Sequence, residues 1–286
     1  MPDRLPISLV TTCKGRLAHL KRTLPGMLAL PIAEVIVVDY DCPERTGDWV
    51  AKHRSAAKVV RVADRPHFNA AKARNLGAAA ATSPWLFFVD ADTRMERGLG
   101  DDLAAKLKQA GGFYVPEPRT ADLYGAILLP RADFDAVGGY DEVFEGWAIE
   151  DVELWDRLLA RGVARGALDG RRMRAIEHDN KLRARFHDIG DSMATGTLNN
   201  VYRWVKADLH RLGFDLDPTA LKTLYDQLRA GLESGTLATE YEVAFRDVPT
   251  FGKTLQASLT YRLVDTASAA PTAATPFVKR LGGGRG

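Results

Sequence analysis

Asp90 and Asp92 are the acidic residues whose spacing most clearly suggests chemistry. They follow the apolar run 85–89, whose residues favour a strand buried on both faces. Residues two apart in an extended chain point to the same side, so the two carboxylates are predicted to converge where a central strand ends. Like charges so close repel unless a cation lies between them, and two hard oxygen ligands suit Mg²⁺ or Mn²⁺ shared with a phosphate. The alternative is an ordinary acidic turn after a strand.

A second acidic pair, Glu150 and Asp151, opens a helix predicted over 151–161. Paired glycines and the exposed-looking Trp147 precede it, a combination more typical of a site than of packing. An ionised carboxylate there could act as the general base that activates an acceptor hydroxyl. The alternative is purely structural, because acids in a first turn stabilise any helix through its dipole.

Other polar residues each have a functional and a structural interpretation. His178 is the first candidate for a further metal ligand and His187 the second, although a lone histidine is more often structural. Asp39, after the second predicted strand, could bind a ribose or a base imide, or cap a turn. Lys72 and Arg74 could reach a base or phosphates, or form the solvated face of a helix.

Composition indicates a folded protein and limits its partners. The chain has 286 residues, 46% of them hydrophobic, and a net charge of +2. Its basic residues are spread along the chain, so charge gives no argument for a nucleic-acid partner. No apolar run is long enough to span a membrane and the first residues lack a signal-peptide core, so the cytosol is the expected location. Cys13 and Cys42 are predicted to be reduced packing residues.

Apolar periodicity predicts strands and helices that alternate along most of the chain. Predicted strands cover 7–12, 34–39, 58–62, 85–89, 112–115 and 125–130, and predicted helices cover 16–30, 48–53, 69–81, 99–110, 131–137 and 151–161. Pro25 is expected to kink or break the first helix. This alternation predicts an α/β fold with a mostly parallel central sheet and helices on both faces.

The last third of the chain is predicted to be an extension of this fold. Helices are expected over 196–212 and 217–232, followed by an added strand over 240–247. We therefore expect an α/β domain over 1–190, with a nucleotide-binding half to about 95 and an acceptor half over 96–190. A helical extension over 191–265 and a disordered tail over 266–286 complete the predicted organisation.

Two familiar phosphate-binding motifs are missing from the sequence. Neither G-x-G-x-x-G after the first strand nor G-x-x-x-x-G-K-[ST] occurs. A bound diphosphate would therefore need another counter-charge, which a cation held by Asp90 and Asp92 would supply. This requirement favours the metal interpretation over the acidic turn.

Taken together, these motifs resemble inverting glycosyltransferases of the GT-A fold, of the family 2 type with a galactosyltransferase-like second half. The resemblance covers roughly 7–178 and implies a Rossmann-like α/β sheet and a nucleoside-diphosphate sugar as donor. It assigns the D-x-D motif and its metal to Asp90 and Asp92. It assigns donor contacts to the residues carrying the other nucleotide-site motifs: Thr11, Thr12, Asp39, Lys72, Arg74, Asp90 and Ala91.

The most specific part of the resemblance runs from Gly138 to Asp151 and matches G-G-x-D/N-x…G-W-G-x-E-D. By this analogy Trp147 is the sugar platform, Glu150 an acceptor ligand and Asp151 the catalytic base. His178 would complete the metal shell. This chain has Ala148 where the family usually has glycine, which puts the type of acceptor in doubt.

The resemblance implies single displacement with inversion, assisted by Mn²⁺ or Mg²⁺, with UDP as the expected nucleotide. Saccharide, lipid-linked and peptide acceptors all remain open, as does peripheral contact with the inner face of a membrane. The competing interpretations are a nucleotidyltransferase, which would release pyrophosphate, and an inactive carbohydrate-binding relative. Thr11-Thr12-Cys13-Lys14-Gly15-Arg16 only faintly resembles the Gly-rich loop of the former.

Overall fold

The computed structural model describes residues 4–109, 111–118, 123–177, 185–188, 192–214, 217–233 and 240–262. The helices and strands follow in this order: β1 (Leu5–Cys13), α1 (Leu17–Leu28), β2 (Ile32–Tyr40), α2 (Thr46–His53), β3 (Lys58–Val62), α3 (Ala70–Ala80), β4 (Trp85–Phe88), β5 (Thr93–Met95), α4 (Leu99–Leu107), β6 (Phe113–Glu117), β7 (Ile127–Pro130), α5 (Arg131–Ala136), α6 (Glu150–Ala160), β8 (Arg165–Asp169), β9 (Met173–Ala175), α7 (Ser192–Arg211), α8 (Pro218–Glu233), β10 (Glu240–Thr250) and β11 (Lys253–Arg262). The predicted tail 266–286 lies outside the described residues.

A seven-stranded sheet in the order β3-β2-β1-β4-β7-β6-β8 forms the centre of the fold. Strands β1 to β4 are mutually parallel where they pair, and β6 is parallel to β8. Strand β7 runs antiparallel to both β4 and β6. The mostly parallel α/β sheet predicted from the sequence is therefore confirmed.

Helices cover both faces of the sheet because the central strands are apolar on both sides. Leu9 of β1 packs into one buried cluster with Leu20 and Leu24 of α1 and residues of α4. Its neighbour Val10 points the other way, into a second cluster with α3, α5 and α6. Gly77 lets α3 approach closely, because a Cβ there would lie 2.3 Å from Val10 Cγ1.

The structure differs from the sequence prediction in several elements. Helix α1 is continuous through Pro25, so the predicted break does not occur. Strands β5 and β8 were not predicted, β1 and β2 each begin two residues earlier than predicted, and α2 begins already at Thr46. Asn69 caps α3 by accepting from the Lys72 N–H at 2.8 Å. Cys13 and Cys42 are free and buried, as predicted.

Contacts within the chain define two compact units, Met1–Tyr225 and Asp226–Gly286. The described end of the second unit is an antiparallel hairpin of β10 and β11, closed at Phe251 and Gly252. The strand predicted over 240–247 is thus the first arm of a hairpin, and the predicted 191–265 extension is not wholly helical. No described helix is long and apolar enough to cross a membrane.

Candidate active site

A cavity of about 860 Å³ opens at the carboxyl ends of β1 and β4 within the first unit. Its wall includes the loop after β1, the Asp90–Asp92 turn, the segment 146–152 and one side of α7. The sequence predicts a ligand site at this end of the sheet, because open α/β sheets bind ligands at the carboxyl ends of their parallel strands. The two predicted acidic pairs therefore meet in one cavity.

Asp90 and Asp92 both line this cavity, but the backbone between them is a turn. Strand β4 ends at Phe88, and the Thr93 N–H donates to the Asp90 carbonyl at 3.0 Å. Thr23 of α1 holds the turn by donating to the Ala91 carbonyl at 2.6 Å. The predicted convergence on an extended strand is therefore wrong in its geometry, although both carboxylates do reach the same cavity.

Each of these acids is paired with an arginine. Asp92 accepts from Arg16 Nη1 at 3.1 Å, and Asp90 Oδ1 accepts from Arg74 Nη2 at 3.0 Å. Desolvation raises the pKa of Asp90 above its ordinary value, Arg74 opposes this shift, and the charge of Asp92 adds to it. The local charge balance thus combines two carboxylates with two guanidinium groups.

Arg74 connects the first acidic pair to the second. It is only 5% exposed, and its Nη1 donates to Glu150 Oε1 at 2.6 Å while its Nη2 holds Asp90. Its guanidinium carbon also lies 5.2 Å from the centre of the Tyr140 ring. One buried cation therefore fixes the end of β4 against the start of α6.

Gly125 makes room for this arrangement. A Cβ at this position would lie 2.5 Å from Asp90 Oδ2 and 2.7 Å from Arg74 Nη2. Any side chain there would displace one of the two charged groups. Sequence reasoning treated Gly125 only as the beginning of a strand, because a glycine gives no sign of which neighbour requires it.

Asp151 lies in the first turn of α6 and is 6% exposed. Its Oδ1 accepts from the Val152 N–H at 2.8 Å. Burial raises the pKa of Asp151 to about 7, and the charge of Glu150 adds to this effect while Arg74 opposes it. A carboxyl group that titrates near neutrality can both take up and release a proton at physiological pH.

The segment before α6 has an unusual backbone. Gly146, Ala148 and Ile149 have φ values of +75°, +76° and +86°. Such angles cost little for glycine but are strained for alanine and more so for a β-branched residue. Asn199 of α7 supports the segment, since its Nδ2 donates to the carbonyls of Glu145 at 3.0 Å and Ala148 at 2.9 Å.

The Ala148→Gly substitution is expected to stabilise the protein by roughly 0.5–1 kcal/mol. A left-handed alanine costs about 1–2 kcal/mol, which exceeds the roughly 0.5–1 kcal/mol by which glycine favours the unfolded chain. Urea unfolding would measure the difference in free energy. Ala105→Gly, in the right-handed interior of α4, should instead destabilise, so equal losses in both variants would contradict this account.

The other predicted donor contacts fall into two groups. Thr12, Ala91 and Trp147 line the cavity. Thr11 and Lys72 do not lie on the cavity wall. Thr11 is fully buried in β1, and Lys72 Nζ pairs with Glu142 Oε2 at 3.5 Å.

Asp39 is occupied by backbone groups. Its two carboxyl oxygens accept from the N–H groups of Cys42 at 3.0 Å and Gly47 at 2.7 Å. These bonds fix the loop after β2 and the start of α2, which is the capping interpretation considered from the sequence. A contact between Asp39 and a nucleoside stays a prediction.

The residues at the cavity suit a divalent cation by their chemistry, with two carboxylates as hard oxygen ligands. The predicted third ligand, His178, lies outside the described residues. His187 does line the cavity, and burial lowers its pKa. Within the described ranges, no group of three or more His, Cys, Asp or Glu residues could hold a metal ion.

Two basic residues of the cavity wall, Lys14 and Arg16, were not singled out from the sequence. Lys14 Nζ donates to the carbonyls of Asp41 and Arg65, both at 2.7 Å, and so ties together the loops after β2 and β3. The sequence does show two basic residues directly after the first strand, but we considered them only as a faint resemblance to the Gly-rich loop of nucleotidyltransferases.

Two family models match overlapping parts of the chain. Residues 8–121 match the glycosyl transferase family 2 model, and residues 115–180 match the model described as the N-terminal domain of galactosyltransferase. A validoxylamine A glucosyltransferase from Streptomyces hygroscopicus subsp. jinggangensis is 57% identical over 37 residues, which are 13% of this chain and 9% of that protein. The chain thus aligns with less than a tenth of the length of the curated relatives it matches.

Three solved structures with a similar fold are complexes with a nucleotide or a nucleotide sugar. A Pyrobaculum calidifontis mannosyltransferase in complex with GDP-Man and Mn²⁺ has a TM-score of 0.54 and 15% identity. The match covers 82% of this chain and 71% of the mannosyltransferase chain. S. aureus TarS 1–349 in complex with UDP-GlcNAc has a TM-score of 0.56 and 16% identity, and the match covers 80% of this chain and 72% of the TarS chain. GalNAc-T7 with UDP, GalNAc and Mn²⁺ has a TM-score of 0.56 and 14% identity, and the match covers 82% of this chain and 57% of the GalNAc-T7 chain.

At these identities the structural likeness establishes the fold alone. The two family models together match residues 8–180, which include both acidic pairs of the cavity. In sequence the chain is therefore similar to glycosyltransferases, with a family 2 segment followed by a galactosyltransferase-type segment, on a GT-A-like fold.

Proposed function

We propose that this protein transfers a sugar from a nucleoside-diphosphate sugar to an acceptor hydroxyl with inversion, using Asp151 as the general base. The observation that carries the proposal is the Arg74 bridge, which holds Asp90 and Glu150 on one guanidinium beside Asp151. This bridge fixes the proposed donor side against the proposed acceptor side. Single displacement requires that the base and the leaving diphosphate lie on opposite sides of one sugar.

Asp151 suits the role of base because burial holds its pKa near 7. Its ionised form can accept the proton of the attacking hydroxyl, and its neutral form is stable enough to persist afterwards. Glu150 Oε1 accepts from Arg74 Nη1 at 2.6 Å, which fixes its position. We therefore assign Glu150 to binding the acceptor and Asp151 to moving the proton.

Asp90 and Asp92 would hold a divalent cation, Mn²⁺ or Mg²⁺, when donor is bound. Such an ion neutralises the charge that develops on a departing diphosphate. Arg16 and Arg74 are within hydrogen-bond distance of these acids, at 3.1 Å and 3.0 Å. We infer that they also balance the charge of the acids before donor binds.

The expected donor is a UDP-sugar. Two of the similar structures contain UDP or UDP-GlcNAc and one contains GDP-Man, and two of them contain Mn²⁺. The acceptor is a molecule with a free hydroxyl, whether saccharide, lipid-linked or peptide. We keep the cytosol as the expected location, with contact at the inner face of a membrane left open.

Nucleotide sugars should raise the melting temperature of the protein, and Mn²⁺ should increase this shift. A panel of UDP-, GDP- and dTDP-sugars with and without Mn²⁺ tests the donor. Transfer should then release nucleoside diphosphate and no pyrophosphate. Release of pyrophosphate from a nucleoside triphosphate and a sugar phosphate would instead support a nucleotidyltransferase.

Asp90→Asn and Asp92→Asn are each expected to weaken donor binding in Mn²⁺ by about tenfold to a hundredfold. Each loses one anionic ligand, and removing a charged ligand of a metal or its support has effects of about this size. The same variants should bind donor almost as well as the original protein when EDTA is present. Isothermal titration with and without Mn²⁺ measures both effects.

Asp101→Asn, on the exposed start of α4, is the matched control and should leave donor binding unchanged. Equal donor affinity of Asp90→Asn and the original protein in Mn²⁺ would remove Asp90 from the metal site.

A further inference from the structure

The cavity continues beyond the proposed catalytic residues as a groove along α6. Val152, Trp155, Asp156 and Leu159 line it at helical spacings of three, four and seven residues. At 1.5 Å per residue, this row extends for about 10 Å along the helix axis. That length is more than a single sugar ring beside Asp151 would need.

The groove has a second wall made from three other elements. Thr197, Asn200 and Arg203 come from α7, three residues apart, and Arg165 opens β8. Tyr124 lies in the segment before β7. All of these residues belong to the first compact unit.

An apolar platform occupies one part of the groove. The ring of Tyr124 lies nearly parallel to that of Trp155, with centroids 5.9 Å apart and an angle of 11° between the planes. Tyr124 is 38% exposed, whereas Trp155 behind it is buried at 5%. Leu159 is 49% exposed in the same groove, so this wall presents apolar surface to solvent.

A fixed polar pair occupies another part. Arg203 Nε donates to Asp156 Oδ2 at 2.5 Å, and its Nη2 donates to Oδ1 at 3.0 Å. The two planar groups hold each other rigidly, while the Asp156 side chain remains 35% exposed. Their remaining donors and acceptors are therefore presented in a defined orientation.

The combination matches the chemistry of a pyranose ring. A sugar ring has a face of C–H groups, which packs on aromatic and aliphatic side chains, and an edge of hydroxyls, which bonds to planar polar groups. A lipid chain would leave the Asp156–Arg203 pair desolvated without compensation, which is costly. An extended saccharide satisfies both parts of the groove.

We propose that the groove between α6, α7 and Tyr124 binds the second and third sugars of an oligosaccharide acceptor, while the first presents its hydroxyl to Asp151. This inference rests on the proposed function, and it narrows the acceptor to a saccharide of at least two units. Tyr124 and Leu159 then provide affinity, and the Asp156–Arg203 pair orients the chain.

Direct binding without donor tests the proposal. The probes are glucose and N-acetylglucosamine, their β-1,4-linked dimers and trimers, and octyl β-glucoside, measured by saturation-transfer NMR and titration. In at least one series the trimer should bind about tenfold more tightly than the monomer, a gain that corresponds to one well-packed contact with a ring. Tyr124→Ala and Leu159→Ala should each remove most of that gain.

Leu212→Ala is a matched control, because Leu212 is 51% exposed near the end of α7 and does not line the groove. It should keep the gain with chain length. Affinity that does not rise with chain length in either series, including absence of binding, overturns the proposal. So does an equal gain for octyl β-glucoside, which would indicate an apolar aglycone instead of a second sugar.

This result is separable from the proposed function. If Asp90→Asn leaves the donor-induced shift of melting temperature in Mn²⁺ unchanged while trisaccharide binding persists, the metal and donor assignment fails and the groove assignment stands. If donor binds and is turned over but chain length has no effect, only the groove assignment fails.

Discussion

The Asp151→Asn variant should lose about a thousandfold in kcat, because general-base catalysis contributes about 10²- to 10⁴-fold. An amide occupies the same space but cannot accept the proton of the attacking hydroxyl. Donor binding should change little, so the loss should appear in kcat with the KM for donor preserved. A coupled assay of nucleoside-diphosphate release measures it, and turnover within tenfold of the original protein would dismiss Asp151 as the base.

The original protein should also show the corresponding pH profile. The pKa of Asp151 is raised to about 7, so kcat/KM for the acceptor should rise with pH through 7 and level off above it. The Asn variant should lack this limb.

The same substitution should stabilise the fold at alkaline pH. Because the pKa of Asp151 is higher in the folded protein than in the unfolded chain, folding favours its protonated form. The loss of stability caused by ionised Asp151 is therefore absent at low pH, grows as pH rises from about 4 to about 7, and stays constant above that. At pH 8 Asp151→Asn should be more stable by a few kcal/mol, about 1.4 kcal/mol for each pKa unit of the shift.

Urea unfolding at pH 5 and pH 8 separates this effect from a general change in packing. The difference between Asp151→Asn and the original protein should be larger at pH 8. A stability difference that does not depend on pH would show that the Asp151 carboxyl titrates normally in the folded protein.

The Arg74→Met variant should be destabilised by about 3–5 kcal/mol at pH 8, the usual cost of removing one partner from a buried ionic group. Met fills much of the volume, but Asp90, Glu150 and Asp151 then lose their shared counter-charge. The pKa values of Asp90 and Asp151 are raised, and their protonation relieves the repulsion, so the loss should shrink towards pH 5. Denaturant unfolding at the two pH values measures it.

Two further variants define what the Arg74 measurement means. Arg74→Lys keeps the charge but cannot span Asp90 and Glu150 with one fork, so an intermediate loss is expected. Arg211→Met breaks the exposed pair of Arg211 with Asp208 in α7 and should cost under about 1 kcal/mol. If Arg74→Met loses no more unfolding free energy than Arg211→Met, the ion pairs of Arg74 do not stabilise the fold.

Much of the fold followed from local patterns in the sequence. The apolar runs of β1, β2 and β4 are long and uninterrupted, so their assignment as buried strands depended on few assumptions. The Asn69 cap and the spacing of α6 likewise reflect residues close in sequence. The joint presence of both acidic pairs in one cavity was implied by the resemblance to glycosyltransferases, because only Asp90 and Asp92 follow a strand, whereas Glu150 and Asp151 open α6.

What sequence reasoning missed depends on contacts between distant residues. Arg16 and Asp92 are far apart in the chain, and Arg74 reaches Glu150 across a similar separation, so no local pattern reveals either pair. In the sequence, an aspartate that caps a turn looks the same as one that binds a nucleoside, because both follow a strand. The capping role of Asp39 is visible only from the N–H groups of Cys42 and Gly47, which donate to its carboxyl oxygens. The turn between Asp90 and Asp92 was considered only as the alternative, since the preferred interpretation assumed an extended chain through both residues.

Asn199 supports the strained segment before α6, and this contact limits which part of the chain could be moved into another protein. Asn199 lies beyond residue 180, where the matched family segments end. A chimera that grafts only the matched segments would therefore separate residues 146–149 from Asn199. A graft that keeps this backbone conformation must include α7.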